Sequence, residues 1–235
     1  MKNQNLNLKS VLFFGRAKCN LSESILERLK KFGFDVTYVQ SNKRGQKLSE
    51  DILHWEGDFI LCFRSFFILP KKLIQKAKVA AVNFHPGPPE YPGSGCINFA
   101  LYDNAKVFGV TAHTMNEKID NGVILEVRRF PIYSHYDLPI LLSRTHNELF
   151  NLCCDFIEEI KTYGDSIIKN KITLSKDEKW KGKARLLKEL DELQTVSSNI
   201  TEKELYRIIR ATYIKEYPPR IKLHGLNFYL NLDDL

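Results

Sequence analysis

Apolar residues in this chain come in short runs separated by amphipathic stretches, and the alternation is regular as far as Ile132. Residues 10–14, 35–40, 58–63 and 79–84 are apolar runs bounded by turn formers, the pattern of buried strands. Between them, residues 21–32, 48–55 and 70–77 read as helices; Gly33 ends the first, and Pro70 sits in the first turn of the third. Such alternation predicts an α/β fold with a doubly wound, mostly parallel sheet, because a crossover helix between parallel strands packs back onto one face or the other. A helix at 96–102, strands at 108–113 and 123–132 and a long amphipathic helix at 138–163 complete a first unit, residues 1–170. Past Lys171 the pattern changes. Residues 176–183 are charged and read as a solvated connector. A helix at 201–210, capped by Asn199 or Thr201, is broken by Tyr217-Pro218-Pro219. Residues 220–223 and 226–230 flank His224-Gly225 as a hairpin, so residues 171–235 form a small appendage.

The chemistry gathers where the run at 79–84 ends. Asn83-Phe84-His85 opens into a loop carrying Pro86, Pro88, Pro89 and Pro92 together with Gly87, Gly93 and Gly95. Proline fixes φ and donates no ladder hydrogen bond, so this loop is held in one shape at the carboxyl end of a strand. In open α/β sheets that edge binds ligands. Asn83 and His85 are two apart and point to the same side of a regular strand. Further on, Asp120-Asn121-Gly122 reads as a turn between the strands at 108–113 and 123–132. By themselves, an asparagine at a strand end and an aspartate before Asn-Gly are turn formers.

In combination, the ordered Asn83, His85, Pro/Gly loop and Asp120 resemble the folate-dependent formyltransferases, over roughly the first two-thirds of the chain. The wording from Asn83 to Asn104 is most similar to the sugar N-formyltransferases. The resemblance implies a Rossmann-like core, 10-formyltetrahydrofolate as co-substrate, and a nucleotide-linked amino-deoxysugar as acceptor, dTDP-4-amino-4,6-dideoxyglucose by preference, for surface polysaccharide synthesis. It implies Asn83 as oxyanion donor, His85 as acid or base, and Asp120 either as orienter of the imidazole or as base through water. It places folate walls at Phe66, Phe67 and Ile68 and at Asn116, Glu117 and Lys118, for which core packing is the alternative reading of the first three. It also implies dimers formed through the C-terminal hairpin, whose alternating Leu226, Phe228 and Leu230 have a physical reason to seek a partner; packing on its own domain is the alternative.

The acceptor pocket is read from charge and position. Arg16 opens the first strand–helix loop, a natural anion site. Arg207 and Arg210 share a helical face suited to a pyrophosphate, with Tyr206 or Tyr217 near a base, and Tyr91 sits on the rigid loop within reach of a sugar. Solvated surface charge is the alternative for each arginine. Arg64 stands beside an apolar run and needs a partner. His113, inside a strand, reads as a core or supporting histidine.

Composition narrows the class without choosing the ligand. The chain has 235 residues, 43% of them hydrophobic, enough for one full-sized core and an appendage. A net charge of +7 suits an anionic ligand. Five cysteines without a CxxC argue for a reducing, cytoplasmic setting and against a zinc site. The opening residues are polar, and the apolar stretch at 59–69 is interrupted by Arg64, so neither a leader nor a membrane span is expected. Rival activities are formyl transfer to methionyl-tRNA or to glycinamide ribonucleotide, formyl-folate hydrolysis, and a noncatalytic ligand-binding module. Nucleic acid is the less favoured partner.

Overall fold

A computed structural model describes residues 9–232; most of the polar opening segment lies outside them. Six strands form the central sheet: β1 (Ser10–Arg16), β2 (Asp35–Ser41), β3 (Gly57–Phe63), β4 (Ala77–His85), β5 (Val107–Thr114) and β6 (Ile124–Pro131). Their order is β2-β1-β3-β4-β5-β6, with the first four parallel, β5 antiparallel to β4 and β6 antiparallel to β5. The chain leaves β1 toward β2 and returns to β3 on the other side, so the crevice between the carboxyl ends of β1 and β3 is the topological switch point.

Period-two alternation divides the strand residues between two faces. Val11, Phe13, Phe59, Leu61, Phe63, Val82, Phe84, Val110 and Ala112 pack under α1 (Asn20–Lys31) and α5 (Leu138–Tyr163). Leu12, Phe14, Ile60, Cys62 and Ala81 face the short helices α2 (Glu50–Leu53) and α3 (Lys71–Ile74). Each fully buried phenylalanine contributes roughly 2–3 kcal/mol of transfer free energy. Asn83 and His85 continue the Ala81 face, on the side covered by the shorter helices. Helix α5 begins as its sequence dictates: Asp137 caps it by accepting from the Ile140 N–H at 3.0 Å, with proline in the first turn.

Several elements differ from the sequence reading. Helices α2 and α3 are shorter than 48–55 and 70–77, the second because β4 already begins at Ala77. Two helices were not expected, α6 (Ser166–Leu174) and α7 (Leu187–Leu193). The 170/171 boundary falls inside α6, where buried Lys171 pairs with Glu126 of β6 and Glu159 of α5. Beyond α7, β7 (Thr195–Val196), β8 (Arg220–Leu223) and β9 (Leu226–Tyr229) form a second small sheet, and α8 (Glu202–Thr212) packs on α4 (Cys96–Tyr102). Thr201, not Asn199, caps α8. Among the described residues, no helix is long and apolar enough to cross a membrane.

Candidate active site

The carboxyl end of β4, the loop behind it and the turn between β5 and β6 enclose one polar cluster. Because β5 runs antiparallel to β4, His113 lies directly opposite Asn83, and Thr111 opposite His85. The Asn83 amide nitrogen is 3.1 Å from His113 Nε2. His113 Nδ1 is 2.8 Å from the Thr114 carbonyl, while Nε2 stands between the Asn83 amide and the Asp120 carboxylate. One Asn83 N–H is used in this way, and its second remains to donate elsewhere.

Asp120 joins the two imidazoles. Its carboxylate lies 3.1 Å from His85 Nδ1 and 3.3 Å from His113 Nε2, and it accepts the Gly93 N–H at 2.8 Å. It takes a left-handed backbone conformation, φ +43°, which aspartate tolerates better than bulkier residues. Two residues on, the turn needs glycine: a Cβ on Gly122 would sit 1.6 Å from the Thr114 carbonyl oxygen. His85 Nε2 is 3.0 Å from the Tyr91 carbonyl, so both ring nitrogens face acceptors. The three titratable groups are almost fully buried, with His85 and His113 at 3% exposure and Asp120 at 9%.

Burial and hydrogen bonding set the charges. For His85, burial pushes the pKa below its ordinary value, with Asp120 and the Tyr91 carbonyl pulling the other way. For Asp120, burial alone would raise the pKa; the His85 and His113 rings and the Gly93 N–H outweigh it and hold the carboxyl well below the usual range. A carboxyl held well below its usual range thus stands 3.1 Å from Nδ1 of an imidazole whose own pKa burial depresses.

Trp180 belongs to this cluster, and the sequence reading missed it. Residues 176–183 are mostly exposed, as expected of a connector, but Trp180 turns inward: its indole stands edge-to-face with His113 at 5.0 Å and with His85 at 5.8 Å, and its Nε1–H donates to the Gly122 carbonyl at 2.8 Å. The surrounding lysines mask it in the sequence. A tryptophan amid charge was the available signal, since so large an apolar surface is seldom left in water.

The other expected site residues scatter. Phe66 lies beneath the Arg16 guanidinium, 4.1 Å from ring centroid to Cζ, with Arg44 at 5.6 Å. Phe67 packs edge-on against Phe14 in the core at 5.7 Å, and Ile68 is 78% exposed. Asn116 closes its own turn through the Asn121 carbonyl and the Lys118 N–H, while Glu117 pairs with Lys71, joining this turn to α3. Arg64 finds the Cys19 sulfur at 3.3 Å. Arg16, Arg44 and Arg64 pair with no carboxylate among the described residues, and burial together with Arg64 and Arg44 pushes the Arg16 pKa down. Unbalanced positive charge therefore marks the switch-point crevice.

Three expectations for the acceptor pocket need correction. The Tyr91 ring turns into the core against Phe108 at 6.0 Å, and what it offers the site is its carbonyl. Arg207 donates to the Tyr102 carbonyl and Arg210 to the Tyr136 carbonyl at 2.8 Å, so both fasten α8 to the first unit. Neither contacts the polar cluster. Tyr217, 71% exposed and accepting from the Gln194 amide through its carbonyl, lies within electrostatic range of Arg16, so that expectation stands uncorrected.

Comparison with known proteins gives the family. A methionyl-tRNA formyltransferase from Listeria innocua is 34% identical over 119 residues, which are 50% of this chain and 38% of that protein, so the chain spans about two-fifths of that relative's length. Two solved structures share the fold. A 4-N formyltransferase from Francisella tularensis matches with a TM-score of 0.68 at 17% identity, covering 95% of this chain and 97% of its own. An N-formyltransferase from Helicobacter canadensis, in complex with folinic acid and dTDP-3-aminofucose, matches with a TM-score of 0.64 at 17% identity, covering 93% of this chain and 85% of its own. The family model described as formyl transferase matches residues 10–155, which contain Asn83, His85, His113 and Asp120. The chain belongs to the formyl transferase family.

Proposed function

We propose that this enzyme moves the formyl group of 10-formyltetrahydrofolate to the amine of a nucleotide-linked amino-deoxysugar, with dTDP-4-amino-4,6-dideoxyglucose as the first acceptor to test. The observation that carries the reading is the convergence of Asn83, His85 and Asp120 on one buried cluster inside the matched family segment. A sugar acceptor is supported by the fold likeness to the Francisella and Helicobacter proteins, which runs through the C-terminal appendage as well as the core. The unpaired guanidiniums of Arg16, Arg44 and Arg64 suit an anionic ligand at the switch point.

The acceptor nitrogen attacks the formyl carbon, and the carbonyl oxygen becomes an oxyanion. The free N–H of Asn83 donates to that oxygen; preorganised donors of this kind are worth roughly 3–4 kcal/mol. The attacking nitrogen turns cationic and gives its proton to the His85–Asp120 pair, which carries the positive charge beside a carboxylate. The bond between formyl carbon and folate nitrogen then breaks, and the proton returns to that leaving nitrogen, giving the formamide and tetrahydrofolate.

Folate lies between residues 64–70 and 116–118, which the Lys71–Glu117 pair joins. The Phe66 and Phe67 N–H groups are taken by Ser41 and Ser65 hydroxyls, while the Ile68 N–H makes no hydrogen bond among the described residues and is left for a ligand. The exposed hairpin, with Leu226, Phe228 and Tyr229 between 55% and 65% exposed, pairs two copies of the chain. With all five cysteines free, the enzyme works in the cytoplasm.

The test is incubation with 10-formyltetrahydrofolate and a panel of dTDP- and UDP-linked 3-amino and 4-amino sugars, read by mass spectrometry. A mass gain of one formyl group on a panel member is expected. The sequence likeness to methionyl-tRNA formyltransferases favours a second acceptor, so methionyl-tRNA belongs in the same assay. Formylation of the tRNA alone would replace the sugar reading.

A further inference from the structure

Nothing in the catalytic trio explains why residues 178–185 lie across it. This strap is stitched down on both sides. The Lys181 N–H donates to the Pro89 carbonyl at 2.8 Å and the Arg185 N–H to the Pro92 carbonyl at 3.0 Å, while the Ser94 N–H returns a bond to the Arg185 carbonyl at 2.8 Å. A Cβ on Gly93 would lie 2.3 Å from the Arg185 nitrogen, so glycine there is what lets the strap approach. Charges repeat the pattern: Arg129 of β6 pairs with Glu178 at 2.8 Å, and Lys181 pairs with Glu90 of the proline loop at 3.0 Å. At the centre the half-buried Trp180 turns inward to the two imidazoles and to Gly122.

We infer that Trp180 is a positioning residue for the formyl transfer proposed above: its indole covers His85 and His113 and pins the Gly122 turn, so that Asp120 keeps contact with both rings. The inference rests on that reading of the activity but concerns a residue outside the trio. Asp120 sits in a left-handed conformation two residues before Gly122, whose carbonyl the Trp180 N–H grips. Losing the grip frees the turn, and losing the ring opens the imidazoles to water.

The groups facing His85 are Asp120 from the turn, the Tyr91 carbonyl from the proline loop, His113 from β5, the Cys96 thiol of α4, which lies within electrostatic range of Asp120, and Trp180 from the strap. The charged strap residues beside Trp180 are Lys179, Glu178 and Lys181; the last two are paired as described. Burial is the leading cause of the depressed His85 pKa, so removing the indole should let that pKa climb toward its ordinary value.

The test uses the full chain and the variants Trp180→Ala, Trp180→Leu and Trp180→Phe. Ring-proton NMR titration of His85 needs no substrate, so it separates failure of this inference from failure of the acceptor reading, which wild-type turnover alone decides. In W180A the His85 pKa should rise by about half a unit or more, and kcat should fall about tenfold while KM for each substrate changes by about twofold or less. W180F, which restores a ring without the N–H, should recover the His85 titration and part of kcat. If W180A does not fold, W180L is read in its place: a kcat loss of about threefold or more, with melting temperature unchanged, supports the role. An unmoved His85 titration with kcat within about twofold of wild type, in whichever of the two variants folds, overturns it.

Discussion

Asn83 and His113 face each other across the antiparallel β4–β5 pair, with the amide nitrogen of one 3.1 Å from Nε2 of the other. That contact orients the carboxamide, and the two act as a unit. Asn83→Ala should lower kcat by roughly 10²–10³, and His113→Ala by about tenfold. The double variant should be within about twofold of Asn83→Ala, since a residue that works through another adds nothing once the other is gone. Multiplying losses in steady-state assays would show that His113 acts on its own.

Asp120→Asn keeps the shape of the side chain and removes its charge. The carboxylate raises the His85 pKa against the larger effect of burial, so its loss should move that pKa further down. The acid limb of the kcat/KM profile should shift to lower pH, with kcat reduced about hundredfold. A pH profile over the acid range checks both; an acid limb displaced upward would assign the limb to another group.

Gly122→Ala tests the turn that aims Asp120. The added Cβ would lie 1.6 Å from the Thr114 carbonyl oxygen, so the backbone must move. A loss of about 3 kcal/mol is expected by chemical denaturation, in line with overpacked or strained sites. Wild-type stability and turnover together would mean that the turn shifts without carrying Asp120 with it.

His146 on α5 governs part of the acid response. Burial first, then Arg64 and Arg16, push its pKa down to about 4. A group whose folded-state pKa is depressed contributes stability that is present above its unfolded pKa and lost as pH falls through the folded one. The window here runs from about 6.5 down to about 4. His146→Gln should therefore match wild type near neutrality and be relatively more stable at the bottom of the window, by about 2 kcal/mol after discounting for partial exposure. Calorimetric unfolding at the two ends of the window measures it, and a constant difference between the two proteins would contradict the assignment.

Much of this site was legible in the chain. Asn83 and His85 share a face because strands repeat every two residues, and the prolines behind them announce a fixed loop. The helices at 96–102 and 138–163 coincide with α4 and α5, where amphipathic periodicity is long or the flanks are clear. Trp180 was hidden among lysines, and α6 and α7 lie in charged sequence with little contrast between faces. Arg207 and Arg210 drew attention as exposed cations on one helical face, yet each also donates to a carbonyl more than 70 residues away in the chain.

By itself the amino-acid order determined the α/β layering and the strand that ends in Asn83 and His85, because periodicity and turn residues act over a few positions; Asp120 joined them only through the resemblance to the formyltransferases. Only the tertiary structure decided that β5 returns antiparallel to set His113 opposite Asn83, that Asp120 touches both imidazoles, and that a charged segment folds back to lay Trp180 over them. Those choices depend on strand order and on main-chain hydrogen bonds between segments far apart in the chain, which leave no local pattern to read.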